Sequence, residues 1–294
     1  MHRIALMTFL VAASTATAQR PSLTATPTKP APGSLVRLVL DAGTVEADSI
    51  ISITGQMSGE RLHFARSGRV TWRAIGPVTV DAVDSVAARV AVHRASGAVD
   101  SVFTFVTLPA RPKPTGRSRP RQLAVDSRFT RPMSAETQKR IESENERARE
   151  VGRKAHDTPA MWTESFSNPR PSSITSRFGS GRMFNGTVAS RHLGVDFSGA
   201  VGTPVRAANR GVVALVDDFF LAGNVVYIDH GAGVVTGYFH LSRATVAPGD
   251  TVEKGQQIGL VGATGRVTGP HLHWNARYGA VTVNPLDLVS LGRN

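Results

Sequence analysis

Short apolar runs, separated by turn residues, follow one another through the first third of the chain after about Pro21. Many of them alternate apolar with polar positions, which is the period of a strand with one buried face. Pairs such as Ser58-Gly59 and Gly76-Pro77 mark the turns between them. The predicted strands are Val36–Leu40, Ile50–Thr54, Arg61–Phe64, Val70–Ile75, Val78–Val83, Ala87–His93 and Val99–Thr107. Strands this short and this closely spaced are typical of an immunoglobulin-like β-sandwich, which we predict for residues 19–108.

The pattern changes twice over residues 109–160, for which we predict a linker followed by a helix. Pro109–Gln122 is rich in proline and basic residues and has no acidic residue, which favours an extended spacer over a grip on an anionic polymer. A helical pattern then extends from Ser134 to Ala155. Ser134 is the predicted N-cap, and Glu136–Arg140 and Glu150–Lys154 are i,i+4 pairs. The apolar stripe is narrow, so we expect the helix to lie on a domain surface.

From Trp162 onward, strands and glycine turns return with almost no helical periodicity. This pattern predicts a second, all-β domain over residues 161–294. Its predicted strands include Val212–Val216, Val225–Asp229, Val234–His240, Gln257–Val261, His271–Tyr278 and Val281–Val283.

Four of the nine histidines lie in this second domain at spacings that suit a metal site. His271 and His273 alternate on a predicted strand, so both side chains project from one face while Leu272 and Trp274 face away. Both imidazoles could bind the metal, or one could bind while the other serves the reaction. His192 and Asp196 would be about 13 Å apart on a straight strand, too far for one ion.

The chain must therefore bend between His192 and Asp196, which is easiest at Gly194. With His240 lying between the two motifs, this set is the kind that catalytic zinc requires: neutral imidazoles, one carboxylate and spare histidines for proton transfer. The remaining histidines lack such spacing. We interpret His63 and His93 as ordinary strand residues, His156 as an exposed residue after the helix and His230 as a turn residue.

The composition of the chain excludes several kinds of active site, and its N-terminal residues predict the compartment. The chain of 294 residues has no cysteine, which excludes thiolate zinc sites, cysteine nucleophiles and disulfides. A basic start, the apolar run Ile4–Ala13 and Ala16-Thr17-Ala18 predict a signal peptide over residues 1–18 and export to the periplasm, cell envelope or extracellular space. No later run is long enough to span a bilayer. The net charge of +12 favours anionic surroundings, but aromatic residues are not interleaved with the basic ones as in nucleic-acid binders.

Seven motifs together resemble the lysostaphin/LytM-type zinc endopeptidases, which cut bacterial cell-wall peptides. The resemblance covers about residues 173–288. The motifs are Ile174-Thr175-Ser176-Arg177-Phe178-Gly179, His192-x-Gly194-x-Asp196-Phe197, Ala207-Ala208-x-x-Gly211-x-Val213, Val226-x-Ile228-Asp229-His230-Gly231, Tyr238-x-His240-Leu241, Gly255-Gln256-x-Ile258-Gly259 and Thr268-Gly269-Pro270-His271-Leu272-His273.

The resemblance implies a compact antiparallel β domain that binds one zinc ion per chain and takes peptidoglycan peptides as its substrate. It assigns His192, Asp196 and His273 to the metal. It assigns His240 and His271 to catalysis, with Tyr238 and Asn224 lining the site. One position departs from the family, which commonly has an acidic residue where this chain has Asn275.

The mechanism that we expect hydrolyses the amide bond with metal-activated water. No HExxH glutamate is present, so His271 is the expected general base and His240 the expected donor to the oxyanion. We expect a monomer and no nucleic-acid partner. Which peptide bond is cut stays open, and so does the role of the N-terminal domain, which we expect to target, space or cover the active site. The alternative is a non-catalytic peptidoglycan-binding or regulatory module of the same fold.

Overall fold

A computed structural model describes residues 20–43, 49–110 and 120–291. The predicted signal peptide at 1–18 and the linker residues 111–119 lie outside the described residues. The described part is mostly β-structure, as predicted. No helix in that part is both long and apolar enough to cross a membrane.

The N-terminal strands form two four-stranded antiparallel sheets, ordered β1-β2-β6-β5 and β4-β3-β7-β8. Buried side chains from both sheets, among them Leu38, Trp72 and Val92, form one core. An immunoglobulin-like connectivity for this region stays a prediction. The strands are β1 (Ser22–Thr26), β2 (Leu35–Asp41), β3 (Ile50–Met57), β4 (Glu60–Arg61), β5 (Ala65–Arg66), β6 (Thr71–Pro77), β7 (Ser85–Arg94) and β8 (Val99–Thr107).

The strand predicted at Val78–Val83 is wrong. Residues 80–81 form a turn, closed by a 3.1 Å hydrogen bond from the Ala82 amide to the Thr79 carbonyl. Val78 is nevertheless fully buried, so its apolar character reflects the core and not a strand face.

The long helix α1 (Ala135–Lys154) begins where the sequence predicts. The Ser134 hydroxyl accepts a hydrogen bond from the Thr137 amide at 3.2 Å, which is the contact of an N-cap. The helix lies on the surface of the C-terminal β-structure, where Ala148 packs in a cluster with Val225 and Tyr227 of that structure.

The C-terminal strands form a ten-stranded sheet and a smaller three-stranded sheet. The main path of the large sheet is β10-β13-β20-β17-β16-β15-β18, with β14, β19 and β21 attached to it. The small sheet has the order β12-β11-β9, and β9 runs parallel to β11. The elements are β9 (Arg121–Leu123), a 3-10 turn (Ser127–Phe129), β10 (Ile174–Ser176), β11 (Gly181–Phe184), β12 (Val188–Arg191), β13 (Val195–Ser198), β14 (Pro204–Arg206), β15 (Gly211–Phe219), β16 (Gly223–Gly231), β17 (Val234–Ala244), β18 (Thr251–Val252), β19 (Gln257–Val261), β20 (His271–Tyr278), β21 (Val281–Val283) and α2 (Pro285–Leu291).

A polar cluster joins the two β regions. Glu60 of β4 accepts a 3.0 Å hydrogen bond from the Ala280 amide, and its other carboxylate oxygen is 2.9 Å from His156 Nε2. His156 Nδ1 in turn is 2.8 Å from His63 Nε2. The prediction that His156 is an exposed residue is therefore wrong, because its side chain is only 9% exposed. Contacts this distant in sequence give no local signal.

Candidate metal centre

Asp196 and His273 are brought together by strand register. Strand β13 pairs antiparallel with β20, and the register sets Asp196 directly opposite His273. The Asp196 Oδ1 and His273 Nδ1 atoms are 3.0 Å apart. His273 is also paired on its other side with Phe239 of β17, whose ring stacks on the imidazole with 5.1 Å between centroids. The imidazole is thus held between a carboxylate and an aromatic ring.

His192 reaches the same point from outside the strand. It precedes β13, and the chain bends at Gly194, which brings His192 Nε2 to 2.9 Å from both Asp196 Oδ1 and His273 Nδ1. A Cβ atom on residue 194 would lie 2.4 Å from His273 Nε2 and 2.6 Å from the Trp274 carbonyl oxygen. Only glycine therefore lets the bend pass this close to the His273 ring.

The donor set fits a divalent cation. His192, Asp196 and His273 are a group of side chains whose ligand atoms lie within 4.8 Å of one another. His192 Nδ1 is 3.0 Å from the Arg177 carbonyl oxygen, so Nδ1 carries the proton and Nε2 presents a lone pair. A lone pair and a carboxylate oxygen 2.9 Å apart repel each other unless a positive charge lies between them. Two imidazoles and one carboxylate are ordinary zinc ligands, and three protein ligands leave a coordination position open.

The surroundings keep Asp196 and His273 in the forms that bind a metal. Burial raises the pKa of Asp196, but hydrogen bonds from protons on the facing nitrogens of His192 and His273 outweigh burial and hold that pKa well below its usual range. A metal ion between these groups would supply the same positive charge. Burial lowers the pKa of His273 to about 4, so the imidazole is neutral near pH 7. The site therefore presents the negative charge of Asp196 and a neutral nitrogen ligand at His273.

His271 lies beside this cluster, on the same face of β20 as His273. Its Nδ1 is 2.8 Å from the Gly269 carbonyl oxygen and so donates to it. The lone pair of Nε2 then faces the cluster, 3.6 Å from Asp196 Oδ1. This is the tautomer that a proton acceptor requires.

His240 lies in β17, at a position where the backbone departs from strand geometry. Its φ of 62° lies in the left-handed region, which is uncommon for a residue other than glycine and turns the side chain out of the strand alternation. His240 Nδ1 donates to the Thr264 carbonyl at 2.8 Å, and the ring centroid lies 4.9 Å from that of His271. Burial, then the nearby His271 and His273, lower the pKa of His240 well below its usual value.

Asn224 supports the loop that holds His240. Its amide donates to the Thr264 hydroxyl at 2.9 Å, and its side chain donates to the Leu241 carbonyl at 3.0 Å. Asn275, which stands where the family commonly has an acidic residue, donates to the Leu193 carbonyl at 2.6 Å. It thereby fixes the segment that follows His192.

Tyr238 does not lie where the resemblance implies. It is fully buried in the core, and its hydroxyl accepts a 2.8 Å hydrogen bond from the Ala208 amide. Strand alternation explains the difference, because Phe239 faces His273 and the neighbouring Tyr238 must face the opposite side. Phe239, which no motif singled out, is the residue of β17 whose ring stacks on the predicted metal ligand His273.

His230 is also placed differently from the prediction of a turn histidine. It lies in β16 and is fully buried, with Nδ1 2.7 Å from the Arg210 carbonyl oxygen and Nε2 2.8 Å from the Thr236 hydroxyl. Burial lowers its pKa to about 4. His230 is thus a neutral core residue with both ring nitrogens hydrogen-bonded.

A cavity of about 250 Å³ opens beside Asp196 and His271. Arg182 lines it, and its Nη2 donates to Asp196 and to the Ser176 hydroxyl. Arg121 and Arg266 line the same cavity. No motif in the sequence points to these three arginines as site residues, since no spacing connects residues so far apart.

A β domain in which two histidines and one aspartate converge beside two further histidines defines a metallopeptidase type of site. Residues 190–285 match the model of peptidase family M23, and the chain contains an M23 domain there. This confirms the resemblance stated from the motifs.

Two curated relatives show the extent of the similarity. The chain is 51% identical to the peptidoglycan DD-endopeptidase ShyA of Vibrio cholerae over 83 residues, which are 28% of this chain and 19% of that protein. It is 46% identical to the DD-carboxypeptidase/endopeptidase Mpg of Neisseria meningitidis over 97 residues, 33% of this chain and 22% of that protein. The matched segment thus spans only about a fifth of the length of these relatives.

A solved structure extends the likeness beyond the M23 domain. A protein from Pseudomonas aeruginosa assigned to peptidase M23 superposes with a TM-score of 0.65 at 25% identity, covering 89% of this chain and 95% of that one.

Proposed function

We propose that the chain is an exported, zinc-dependent endopeptidase that hydrolyses amide bonds in the peptide cross-links of peptidoglycan. The observation that supports this best is the convergence of His192 Nε2, Asp196 Oδ1 and His273 Nδ1, each 2.9–3.0 Å from the other two. The matches to peptidoglycan endopeptidases support the choice of substrate. Zinc is the metal proposed because imidazole and carboxylate ligands without thiolate suit a catalytic zinc site.

A zinc ion in this site would polarise the scissile carbonyl and lower the pKa of water toward about 7. His271 is the residue that we assign to the attacking water. Its Nε2 lone pair points into the site, and the hydrogen bond from Nδ1 to the Gly269 carbonyl fixes the ring. Once protonated, His271 can donate the same proton to the amine that leaves, which completes the hydrolysis.

The part assigned to His240 depends on its protonation. As a neutral ring that donates from Nδ1 to the Thr264 carbonyl, it presents only a lone pair at Nε2. The oxyanion contact expected from the sequence therefore requires His240 to gain a proton first. Burial and the nearby His271 and His273 oppose that gain, since they lower the pKa of His240. We therefore propose that His240 stays neutral during turnover and accepts a hydrogen bond from the attacking water at Nε2.

A binding module of the same fold would need none of these side chains. All five positions are filled, and each of the two histidines assigned to catalysis has a backbone carbonyl that sets its tautomer. This arrangement favours an enzyme.

The test is digestion of purified peptidoglycan by the full chain, with zinc, with a chelator, and with zinc restored after chelation. We expect soluble fragments whose masses show cleaved cross-links, loss of cleavage with chelator and recovery on adding zinc. Intact peptidoglycan under all three conditions, with zinc shown to be bound, would contradict the proposal.

A further inference from the structure

We propose that Arg266, together with Arg121 and Arg182, forms a subsite beside the metal cluster that binds a free carboxylate of the peptide substrate. The proposal rests on the proposed function, since it names a chemical feature of the substrate for the same site.

The first observation is that three arginines converge from distant parts of the chain. All three line the 250 Å³ cavity that also contains Asp196 and His271. Arg121 lies in β9 and Arg182 in β11, and the parallel register sets these two residues directly opposite each other. Like charges placed opposite on neighbouring strands are destabilising. An anion between the two side chains would relieve this repulsion.

The second observation is a charge imbalance. Among the described residues that line the cavity, Asp196 alone is acidic, and it is already in contact with Arg182 and belongs to the predicted metal ligands. The Arg121 side chain donates to the Thr175 carbonyl at 3.4 Å. Within the described part of the chain, neither Arg121 nor Arg266 has a carboxylate at ion-pair distance. The cavity thus holds positive charge that this part of the chain does not neutralise.

Arg266 shows the imbalance most clearly. Its guanidinium carbon lies 4.1 Å from the centroid of the Phe184 ring, and its amide donates to the Leu221 carbonyl at 2.8 Å. The Phe184 ring thus holds the guanidinium against the cavity wall, while the amide contact holds the backbone. Burial and the nearby Arg182 both lower the pKa of Arg266, which shows that its charge is partly removed from water and unfavourably placed. A partly desolvated cation beside a cavity is suited to a charged ligand.

The chemistry of the groups selects a carboxylate. A guanidinium matches a carboxylate through two parallel N–H···O bonds, and the substrates of a peptide hydrolase supply carboxylates. Two sources are available in a cross-linked peptide: the carboxylate at a chain end and a carboxylate on the side chain of a diacid residue near the scissile amide. Either would have the same contacts with Arg266, so the experiment must separate them.

The experiment uses the zinc-loaded full chain and a synthetic cross-linked peptide in four forms. Both carboxylates are free, only the terminal one is amidated, only the side-chain one is amidated, or both are amidated. We expect kcat/KM to fall about tenfold to a hundredfold when the recognised carboxylate is amidated, which is the usual effect of losing a charged hydrogen bond. The single amidation that causes the fall identifies the source.

The Arg266→Gln variant tests the residue. We expect its kcat/KM to fall by about the same factor on the free peptide and by less than about threefold on the doubly amidated peptide. The reason is that the substitution and the amidation remove the same interaction. Arg243→Gln is the matched control, since Arg243 is exposed, lies in the same domain and does not line the 250 Å³ cavity. If Arg266→Gln does not fold, Arg121→Gln is the second test, because Arg121 is exposed and its replacement should leave the fold intact. We expect Arg121→Gln to lower kcat/KM by up to about fivefold, and on the free peptide only.

The outcomes separate the two proposals. If the wild-type enzyme cleaves the free and the doubly amidated peptides equally, or if Arg266→Gln slows both by one factor, the carboxylate subsite is wrong and the endopeptidase assignment stands. If the peptides are too short to be cleaved, the four forms are compared as inhibitors of peptidoglycan digestion, where equal inhibition would overturn the subsite. If zinc-loaded enzyme leaves peptidoglycan intact, the proposed function itself fails.

Discussion

Asp196 and His273 occupy directly opposed positions on the antiparallel strands β13 and β20, with Oδ1 and Nδ1 3.0 Å apart. Residues in such a pair have Cβ atoms about 5 Å apart, so both side chains reach one point without any loop movement. Two of the three proposed metal ligands are thereby fixed by the sheet. The third, His192, is fixed by the bend at Gly194.

Replacing Asp196 by alanine should remove the metal. The change deletes the only anionic member of the ligand group and leaves Arg182 without its carboxylate partner. We expect the zinc content after dialysis, measured by plasma emission spectroscopy, to fall from about one ion per chain to near zero. Asp218→Ala is the control, because that side chain is 68% exposed. Retention of one zinc by Asp196→Ala would show that the metal is held elsewhere.

Replacing His271 by alanine should separate binding from catalysis. His271 is assigned to proton transfer and not to the metal, so the variant should keep its zinc. We expect kcat to fall by about 10²–10⁴, which corresponds to roughly 3–5 kcal/mol of barrier. Peptidoglycan digestion and zinc content are measured on the same preparation, with His93→Ala as a control in the N-terminal sheet. Full activity in His271→Ala would mean that another group accepts the proton.

Local patterns predicted the parts of the site that depend on strand alternation alone. His271 and His273 share a face of β20, while Leu272 and Trp274 are fully buried, as the period of two requires. Alternation failed at His240, because the left-handed backbone there breaks the period of two and turns the imidazole toward His271 and His273. The clusters Arg121–Arg182 and Glu60–His156 depend on register between distant strands and on contact between the two β regions. No window of sequence contains that information.

Replacing Gly194 by alanine should disturb the metal site without touching a ligand. The new Cβ would meet His273 Nε2 at 2.4 Å and the Trp274 carbonyl oxygen at 2.6 Å, so either the ring or the strand must move. Overpacking of this kind costs about 1–3 kcal/mol of stability. We expect a lower Tm and weaker zinc binding, measured by calorimetry and by competition with a chromogenic chelator.

Gly269→Ala is the matched control for that variant. A Cβ on residue 269 would meet no atom within 4 Å, although the residue lies next to His271 in space. It should change the free energy of unfolding by no more than the ordinary scatter of surface substitutions, about 0.5 kcal/mol. Equal effects of the two substitutions would show that crowding against His273 is not the cause.

His230 should make the fold sensitive to acid. Its pKa is lowered by burial to about 4 in the folded chain, against 6.5 for a free histidine. Between these values the unfolded chain binds a proton that the folded chain does not, so the free energy of unfolding decreases as the pH falls through this window. The contribution of the neutral His230 side chain to the free energy of unfolding is fully present above pH 6.5 and is lost below about pH 4. It amounts to roughly 3 kcal/mol. Urea unfolding from pH 7 to pH 4 measures the decrease in the free energy of unfolding.

A His230→Gln variant, whose amide can still donate and accept, should show a shallower dependence of this free energy on pH. An unchanged slope in that variant, with His230 titrating above pH 6 by NMR in the wild-type protein, would show that the buried imidazole is not the source.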